Sequence, residues 1–486
     1  MFTQQKCVLC LIILLAIAGA QQYHYFVTTS NSYDATAFNN SRKVVTHYGE
    51  GPNDTIHVVY HSSDSIYYTC TTDGGPSWQT PLALHPGTNP AFDIDRDGFR
   101  HMVWQYFDTV GSNFDIYYDC LDDWAPPINV SESSGNSILP DLVVDSNLVV
   151  HITWTEQVNY YNHIYYRSCE LGMLTDTVRI SEYGSAQATH SHSSISIFQP
   201  NYRIYVLWCC VDTSAYTPFH IMLRYKEGTT WSSTTPLAAD SHVLRNPALD
   251  FSHGVESLSA CWEDSTSGNL EATFYGGNGG GYATQGRSRY PVISTVGTTW
   301  SYLFWQEDSL GYDDIYYHLY YEYAAGWYAS GSLRELFTIQ EPVRYPNCCG
   351  AYLVWTQGEN PPYSIYLADF GYPIGMKESK NNYQSISLNI TPNPFIEETA
   401  IQYGNEHRTK GIALEIYDIL GRLVRQFDYT MPYTDTHAQS GGAIRLSNQI
   451  TWHGDDNFNN KLPAGTYFCV LKSGTDIFAK KIVKAE

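Results

Sequence analysis

A short apolar run ending in an aromatic residue recurs seven times between residues 40 and 370. Its copies are IHVVY, RHMVW, VHITW, IYVLW, LSACW, SYLFW and AYLVW, ending at Tyr60, Trp104, Trp154, Trp208, Trp262, Trp305 and Trp355. The intervals are 44, 50, 54, 54, 43 and 50 residues. A period near fifty is what four short antiparallel strands and their turns require. A unit of that size cannot hide both faces of its sheet alone, so neighbours must stack and the row must close on itself. The expectation is an all-β chain built on a β-propeller of seven blades, or six if the degenerate fourth and fifth repeats fail to form separate blades.

Other landmarks keep phase with the aromatic. Proline-led segments precede it at Pro90, Pro140, Pro247 and Pro291, and the spacing predicts proline at the first residue of a strand, where no ladder bond is lost. Third-strand segments such as SIYYTC, DIYYDC and HIYYRSC follow it. Asp97-Gly98 supplies a tight turn between the first and second strands of its repeat. The last repeat lacks a fourth strand, while residues 24–29 read as a strand with no partner nearby. The N-terminal strand is therefore expected to complete the last blade and leave no open edge.

One repeat carries a recognisable turn. Thr71-Thr72-Asp73-Gly74-Gly75-Pro76-Ser77-Trp78 resembles the Asp-box of sialidase-type (BNR-repeat) propellers, with Ser77 where that motif has threonine. A remnant persists at Gly228-Thr229-Thr230-Trp231. The resemblance covers residues 23 to about 373. It implies a structural hairpin role for Thr71, Asp73, Gly75 and Trp78, and a sialidase-like propeller.

The ends of the chain speak about location. Lys6, an apolar run from Cys7 to Ala18, and Ala18-Gly19-Ala20 have the three parts of a signal peptide spanning residues 1–20, with Gln21 as the first mature residue. The run is too short to span a bilayer, so no transmembrane anchor is expected after cleavage. Nine cysteines then remain; buried small apolar roles are expected for most, with one or two bridges open. The propeller is assigned residues 21–374 and a polar linker residues 375–385. Residues 386–486 hold seven strand-like runs, an immunoglobulin-like β-sandwich pattern. Within them stand Pro392-Asn393-Pro394-Phe395, a turn at Gly421, Trp452-His453-Gly454-Asp455, and Leu462-Pro463-Ala464-Gly465-Thr466-Tyr467. Together these resemble the C-terminal sorting domain of the type IX secretion system, and are similar to the immunoglobulin-like domain of flagellar hook-capping proteins. That resemblance implies export through the periplasm and across the outer membrane, with the type IX secretion machinery as partner and a secreted or cell-surface destination.

Chemistry is harder to place. Formal net charge is −22, from 27 Lys+Arg against 49 Asp+Glu, which excludes a nucleic-acid binder with a basic footprint. Arg245, Arg289 and Arg344 each stand two residues before a proline of the repeat, so they are expected at one mouth of the central channel, where guanidinium groups suit carboxylates. Asp93-Ile94-Asp95-Arg96-Asp97-Gly98 opens like a calcium loop, but Trp104 stands where the bidentate Glu belongs, so it reads as an acidic hairpin turn. His190-Ser191-His192 is expected in a loop, with no third ligand for a metal. Glu156, Glu263 and Glu307 follow repeat aromatics, and their recurrence fits a structural role better than catalysis. No cofactor and no metal are expected. The reading is an exported, non-catalytic propeller binding glycan or protein; the alternative is a sialidase-type glycoside hydrolase acting on acidic sugars.

Overall fold

The computed structural model describes residues 23–47, 55–123, 125–170, 172–198, 202–251, 258–273, 280–282, 286–296, 300–309, 311–321, 326–370, 386–405, 412–418, 423–428, 447–457, 460–473 and 476–485. The signal-peptide and linker expectations, and Gly421, lie outside them. The chain divides into two compact units, Met1–Ile374 and Gly375–Glu486. Among the described residues no helix is long and apolar enough to cross a membrane.

The first unit is all-β and propeller-like. Its described strands form seven antiparallel sheets, six of them spanning 44–86, 88–129, 137–179, 189–240, 244–282 and 287–332 in chain order. The seventh takes three strands from 343–369 and its fourth from the N-terminus: Tyr23–Ser30 pairs antiparallel with Tyr363–Asp369. The N-terminal closure expected from sequence is therefore present. The fourth and fifth repeats, degenerate in sequence, each build a sheet of their own.

Each repeat aromatic enters the seam between its own sheet and the one before it. Trp154 joins Val103, Ile116 and Tyr118 of the second sheet. Trp208 joins Val143, Ile164 and Tyr166 of the third. Trp355 packs with Phe304 and Ile315 of the sixth. Tyr60 closes the circle, packing with Val354, Ile365 and Leu367 of the seventh sheet and Val27 of the N-terminal strand. These rings are nearly inaccessible, Trp208 and Trp355 at 0% and Tyr60 at 2% exposure. Truncating such a tryptophan to alanine typically costs about 3–5 kcal/mol, which is why a large aromatic recurs there.

Sequence reasoning misplaced the prolines. They do not begin strands; they lie inside them, at a register break in the innermost strand. The break falls between Thr88 and Ala91, Ile138 and Asp141, Ser191 and Ser194, Arg245 and Ala248, Arg289 and Val292, and Arg344 and Asn347. At each bulge one residue adopts positive φ: Asn89, Leu139, His192, Asn246, Tyr290 and Tyr345, between 47° and 56°. Proline follows all but His192, where Ser193 stands instead. A bulge leaves a residue out of the ladder, so proline's missing N–H costs nothing there. His190–His192 accordingly lies in the strand Thr189–Phe198, not in a loop.

These bulges expose carbonyls toward the centre, and residues 34–43 fill it. Asn39 Nδ2 donates to Asn246 O at 2.9 Å and to Pro291 O at 2.8 Å. Asn40 Nδ2 donates to Ser193 O, and Ser41 Oγ to Pro140 O. Thr36 Oγ1 donates to Tyr345 O at 2.8 Å. Asn347 Nδ2 donates to Ser41 O and its Oδ1 accepts from Lys43 N. Arg42 reaches Asp93 at 3.2 Å, while Lys43 O accepts from Val59 N. Every one of the seven sheets is thus bonded to this segment, which is itself buried from Ala35 to Ala37 and from Asn39 to Ser41.

In the second unit, strands Ile386–Thr391, Thr399–Asn405 and Ser447–Trp452 form one sheet. Strands Ile412–Asp418, Leu423–Asp428, Gly465–Ser473 and Asp476–Lys484 form the other. Ile390, Ile401 and Trp452 meet Leu414, Ile416, Tyr467 and Cys469 in a shared core. All nine described cysteines are free thiols.

Candidate functional site

Neighbouring strands in each sheet are antiparallel, so the start of the first strand lies beside the end of the second. The bulges and the hairpins joining second to third strands therefore share one face of the first unit. Residues that follow the repeat aromatic stitch this face together. Gln105, Thr155, Glu263 and Gln306 accept the N–H of the positive-φ residue in the next sheet, at Leu139, His192, Tyr290 and Tyr345. Thr356 continues the series by accepting from Thr36 N of the central segment.

The same face carries exposed apolar side chains at hairpin tips: Val110 at 92%, Tyr160 at 96%, Tyr216 at 101% and Tyr312 at 54%. At its centre, where residues 34–43 enter, Tyr33 is 53% exposed and its ring stands 6.0 Å from that of Tyr345. Tyr345 lies 5.1 Å from Tyr290. Burial pushes the hydroxyls of Tyr290 and Tyr345 up. Phe38 of the central segment meets the His192 ring edge-on at 6.4 Å. An arrangement of upright phenol rings around a half-buried centre offers stacking surface with polar tips.

The three expected arginines occupy equivalent bulge positions on this face, and their charges are differently engaged. Arg344 Nε donates to Asp313 at 2.7 Å and its Nη1 to Gly358 O. Arg289 reaches Asp308 at 3.4 Å. Arg245 is exposed and its charge helps burial hold the His192 imidazole down at about 4.

The three glutamates are tied into the framework. Glu156 accepts from Ser133 Oγ, Ser137 Oγ and Trp154 Nε1. Glu263 accepts from Asn246 Nδ2, Tyr290 N and Ser265 Oγ. Glu307 accepts from Gly286 N and Trp305 Nε1. In the calcium-like segment, Asp93 receives Arg42 and Val144 N, while Asp95 receives Asp97 N, Phe99 N and His101. Both carboxylates thus serve the turn and its neighbours.

Asp73 organises the turn between the strands Ser65–Thr71 and Leu82–Pro86. Its carboxylate accepts from Thr71 Oγ1 at 2.7 Å, from Gly75 N and Ser77 N at 3.2 Å, and from Ser77 Oγ at 2.5 Å. Those donors, Ser77 first, hold it well below the usual carboxylate range. Trp78 packs on the seam between the first and seventh sheets. Gly75 sits at φ 126°, where a Cβ would lie 2.3 Å from the Tyr25 ring.

The C-terminal motifs, distant in sequence, meet at one end of the second unit. Pro392, Asn393 and Pro394 are exposed, while Phe395 is buried. Asn393 Oδ1 accepts from Val483 N at 2.8 Å, and Phe395 N donates to Val483 O. Phe395 packs on Trp452, and Trp452 on Tyr467, both at 5.4 Å. Tyr467 Oη donates to Pro463 O at 2.7 Å, just before exposed Gly465.

Sequence reasoning missed the central segment and the tyrosine chain. The signal for the first was available as an Asn-Asn-Ser run between a partnerless strand and the first repeat. The second had none, since the chain holds 41 tyrosines.

No family model and no curated protein matches the chain. Among solved structures it is similar to PorZ, a bacterial surface component of the type-IX secretion system of Porphyromonas gingivalis, with 11% identity and a TM-score of 0.35. That match covers 92% of this chain but 60% of PorZ, so the chain spans less than two thirds of its length. It is similar to the polysaccharide lyase Uly1, with 8% identity, 71% and 98% of the two chains covered, and a TM-score of 0.44. It is also similar to a Trypanosoma rangeli sialidase bound to the inhibitor DANA, with 10% identity, 85% and 86% covered, and a TM-score of 0.37.

Proposed function

We propose that this chain is an exported surface or secreted protein whose first unit is a seven-bladed, sialidase-like β-propeller that binds glycan or protein without turning it over. The second unit is read as an immunoglobulin-like sandwich that directs passage across the outer membrane through the type IX secretion machinery. The observation that carries the non-catalytic reading is the filled centre: residues 34–43 occupy the place where a channel ligand would sit. Two further features support it. Glu263, the carboxylate beside Tyr290, is already held by three donors. Burial also keeps the Tyr290 and Tyr345 hydroxyls protonated, the opposite of what a phenolate nucleophile needs.

Glycan is the ligand class the face fits best, because sugar rings stack on exposed phenols with little loss of side-chain entropy. In this reading Arg245, Arg289 and Arg344 rim the platform, and the Thr71, Asp73, Gly75 and Trp78 turn is a fold-stabilising Asp-box. Pro392, Asn393, Pro394, Gly421, Gly465 and Tyr467 mark the sorting domain over residues 386–486, behind a linker at 375–385.

A polysaccharide and glycan array, run beside a fluorogenic glycoside screen, tests the activity. Binding to at least one glycan class, weakened about tenfold by Tyr33→Ala as expected for one lost aromatic stack, supports the reading. Hydrolysis of any substrate rejects it, and a blank array rejects the glycan assignment. Deleting residues 386–486 in a host with type IX secretion should leave the protein in the periplasm; unchanged surface delivery rejects the sorting role.

A further inference from the structure

The binding face is not uniform, and it carries a cleft away from its centre. Three residues beyond the exposed tip Tyr160, His163 forms one wall of a cleft of about 310 Å³ between the third and fourth sheets. Arg179 from the last strand of the third sheet, Glu182 and Tyr183 from the connection, and His190 from the first strand of the fourth complete it. That volume falls at the small end of ligand pockets, the scale of a single sugar ring.

The charged groups of the cleft are unequal. Glu182 is answered by Arg224, 3.4 Å away. His190 is fixed, since its Nδ1 accepts from Trp208 Nε1 at 3.1 Å. Arg179 is exposed, gives its Nε to Ser181 O, and has no carboxylate within 4.0 Å among the described residues. His163 stands 5.9 Å from His190, and its Nδ1 is buried with no hydrogen-bond partner among the described residues. The cleft therefore presents an unanswered guanidinium beside the His163 ring, in a protein that is otherwise strongly acidic. A neutral sugar would leave the guanidinium as it is; an anionic one would receive its two-pronged donor set.

We propose that this cleft is an anion subsite of the binding face, taking the carboxylate of an acidic sugar on Arg179 between the walls formed by His163 and Tyr183. It deepens the glycan reading and rests on it for the sugar, while its charge chemistry stands by itself. Inorganic phosphate offers the same anionic chemistry, so the test separates the two. The mature full chain is titrated with glucuronic acid, glucose and inorganic phosphate by calorimetry, as wild type and as Arg179→Ala, Arg179→Lys and His163→Gln. Arg179 is exposed, so its replacements fold, and unchanged melting temperatures check this.

Saturable glucuronate binding, absent for glucose, weakened about tenfold by Arg179→Ala and partly restored by Arg179→Lys, is the expected result for loss of one charge-assisted fork. Glucuronate binding indifferent to Arg179→Ala overturns the proposal. So does phosphate binding without glucuronate binding. An array that is positive and sensitive to Tyr33→Ala but not to Arg179→Ala would leave the face standing and the subsite fallen. A blank array with glucuronate titrating on Arg179 would do the reverse.

Discussion

At the residue scale, the framework depends on buried polar atoms that each have a specific partner. Asp73 shows how much one carboxylate can order, gathering four donors from the seven residues Thr71 to Ser77. Gly75 within that turn is needed on two counts, its positive φ and the ring of Tyr25 against it. Gly75→Ala is expected to destabilise the first unit by about 1–3 kcal/mol, read from urea midpoints, through strain and overpacking. Titration gives a second expectation. Burial, with Arg100 nearby, pushes the His57 imidazole down to about 4, and burial with His163 and Arg179 does the same to His190. Both are neutral in the fold at pH values where the unfolded chain is already protonated. Between about pH 6.5 and 4 the unfolded state binds more protons, so stability falls on acidification by about 1.4 kcal/mol per unit for each such group. Denaturation midpoints across that window should show the slope, and His57→Gln should flatten it. The repeat aromatics were legible as core because a large apolar ring at a fixed period has one physical use. The glutamates beside them were legible as structural by the same recurrence. Tyr33, Tyr290 and Tyr345 were not, because their meaning arises only where three separate elements converge.

At the element scale, the repeated bulge is the device that makes the centre. It turns one residue into the left-handed region, frees carbonyls from the ladder and lets proline occupy a strand interior. The pattern Asn89-Pro90, Leu139-Pro140, Asn246-Pro247 announced something regular, yet a sequence does not say whether a proline begins a strand or bulges it. For residues 34–43 the sequence offered only the Asn-Asn-Ser run, because their partners are mostly carbonyls, which are the same on every residue. Asn39 is the sharpest probe. Asn39→Ala leaves Asn246 O and Pro291 O without their donor and is expected to cost about 1–3 kcal/mol, with Asn40→Ala, which strands one carbonyl, costing less. Equal effects in chemical denaturation would mean the carbonyls find other donors.

At the scale of the whole molecule, each of the two units carries its own core. Ending the chain after Ile374 should leave the first unit's calorimetric transition unchanged. Starting it at Val44 should abolish that transition, because it removes both the edge strand and the central segment. A chain that begins at Val44 and still melts as the wild type does would show the ring to be held by its seams alone. In the second unit the motifs Pro392–Phe395, Trp452–Asp455 and Leu462–Tyr467 were distinctive in the sequence, and their meeting around Phe395, Trp452 and Tyr467 was not. What fills the first unit's face was not legible, since no single residue there departs from ordinary usage.

The pairing of the first strand with the last has a consequence for order of assembly. Thr36 and Thr356 touch across 320 residues of intervening chain. Contacts of that span form late, because the loop between them must first be closed. A chain that emerges amino end first therefore brings out its clasp long before the matching eye exists, and the hoop must be built around a pin already in position. Holding the amino end away from the last sheet should therefore leave the hoop unlatched.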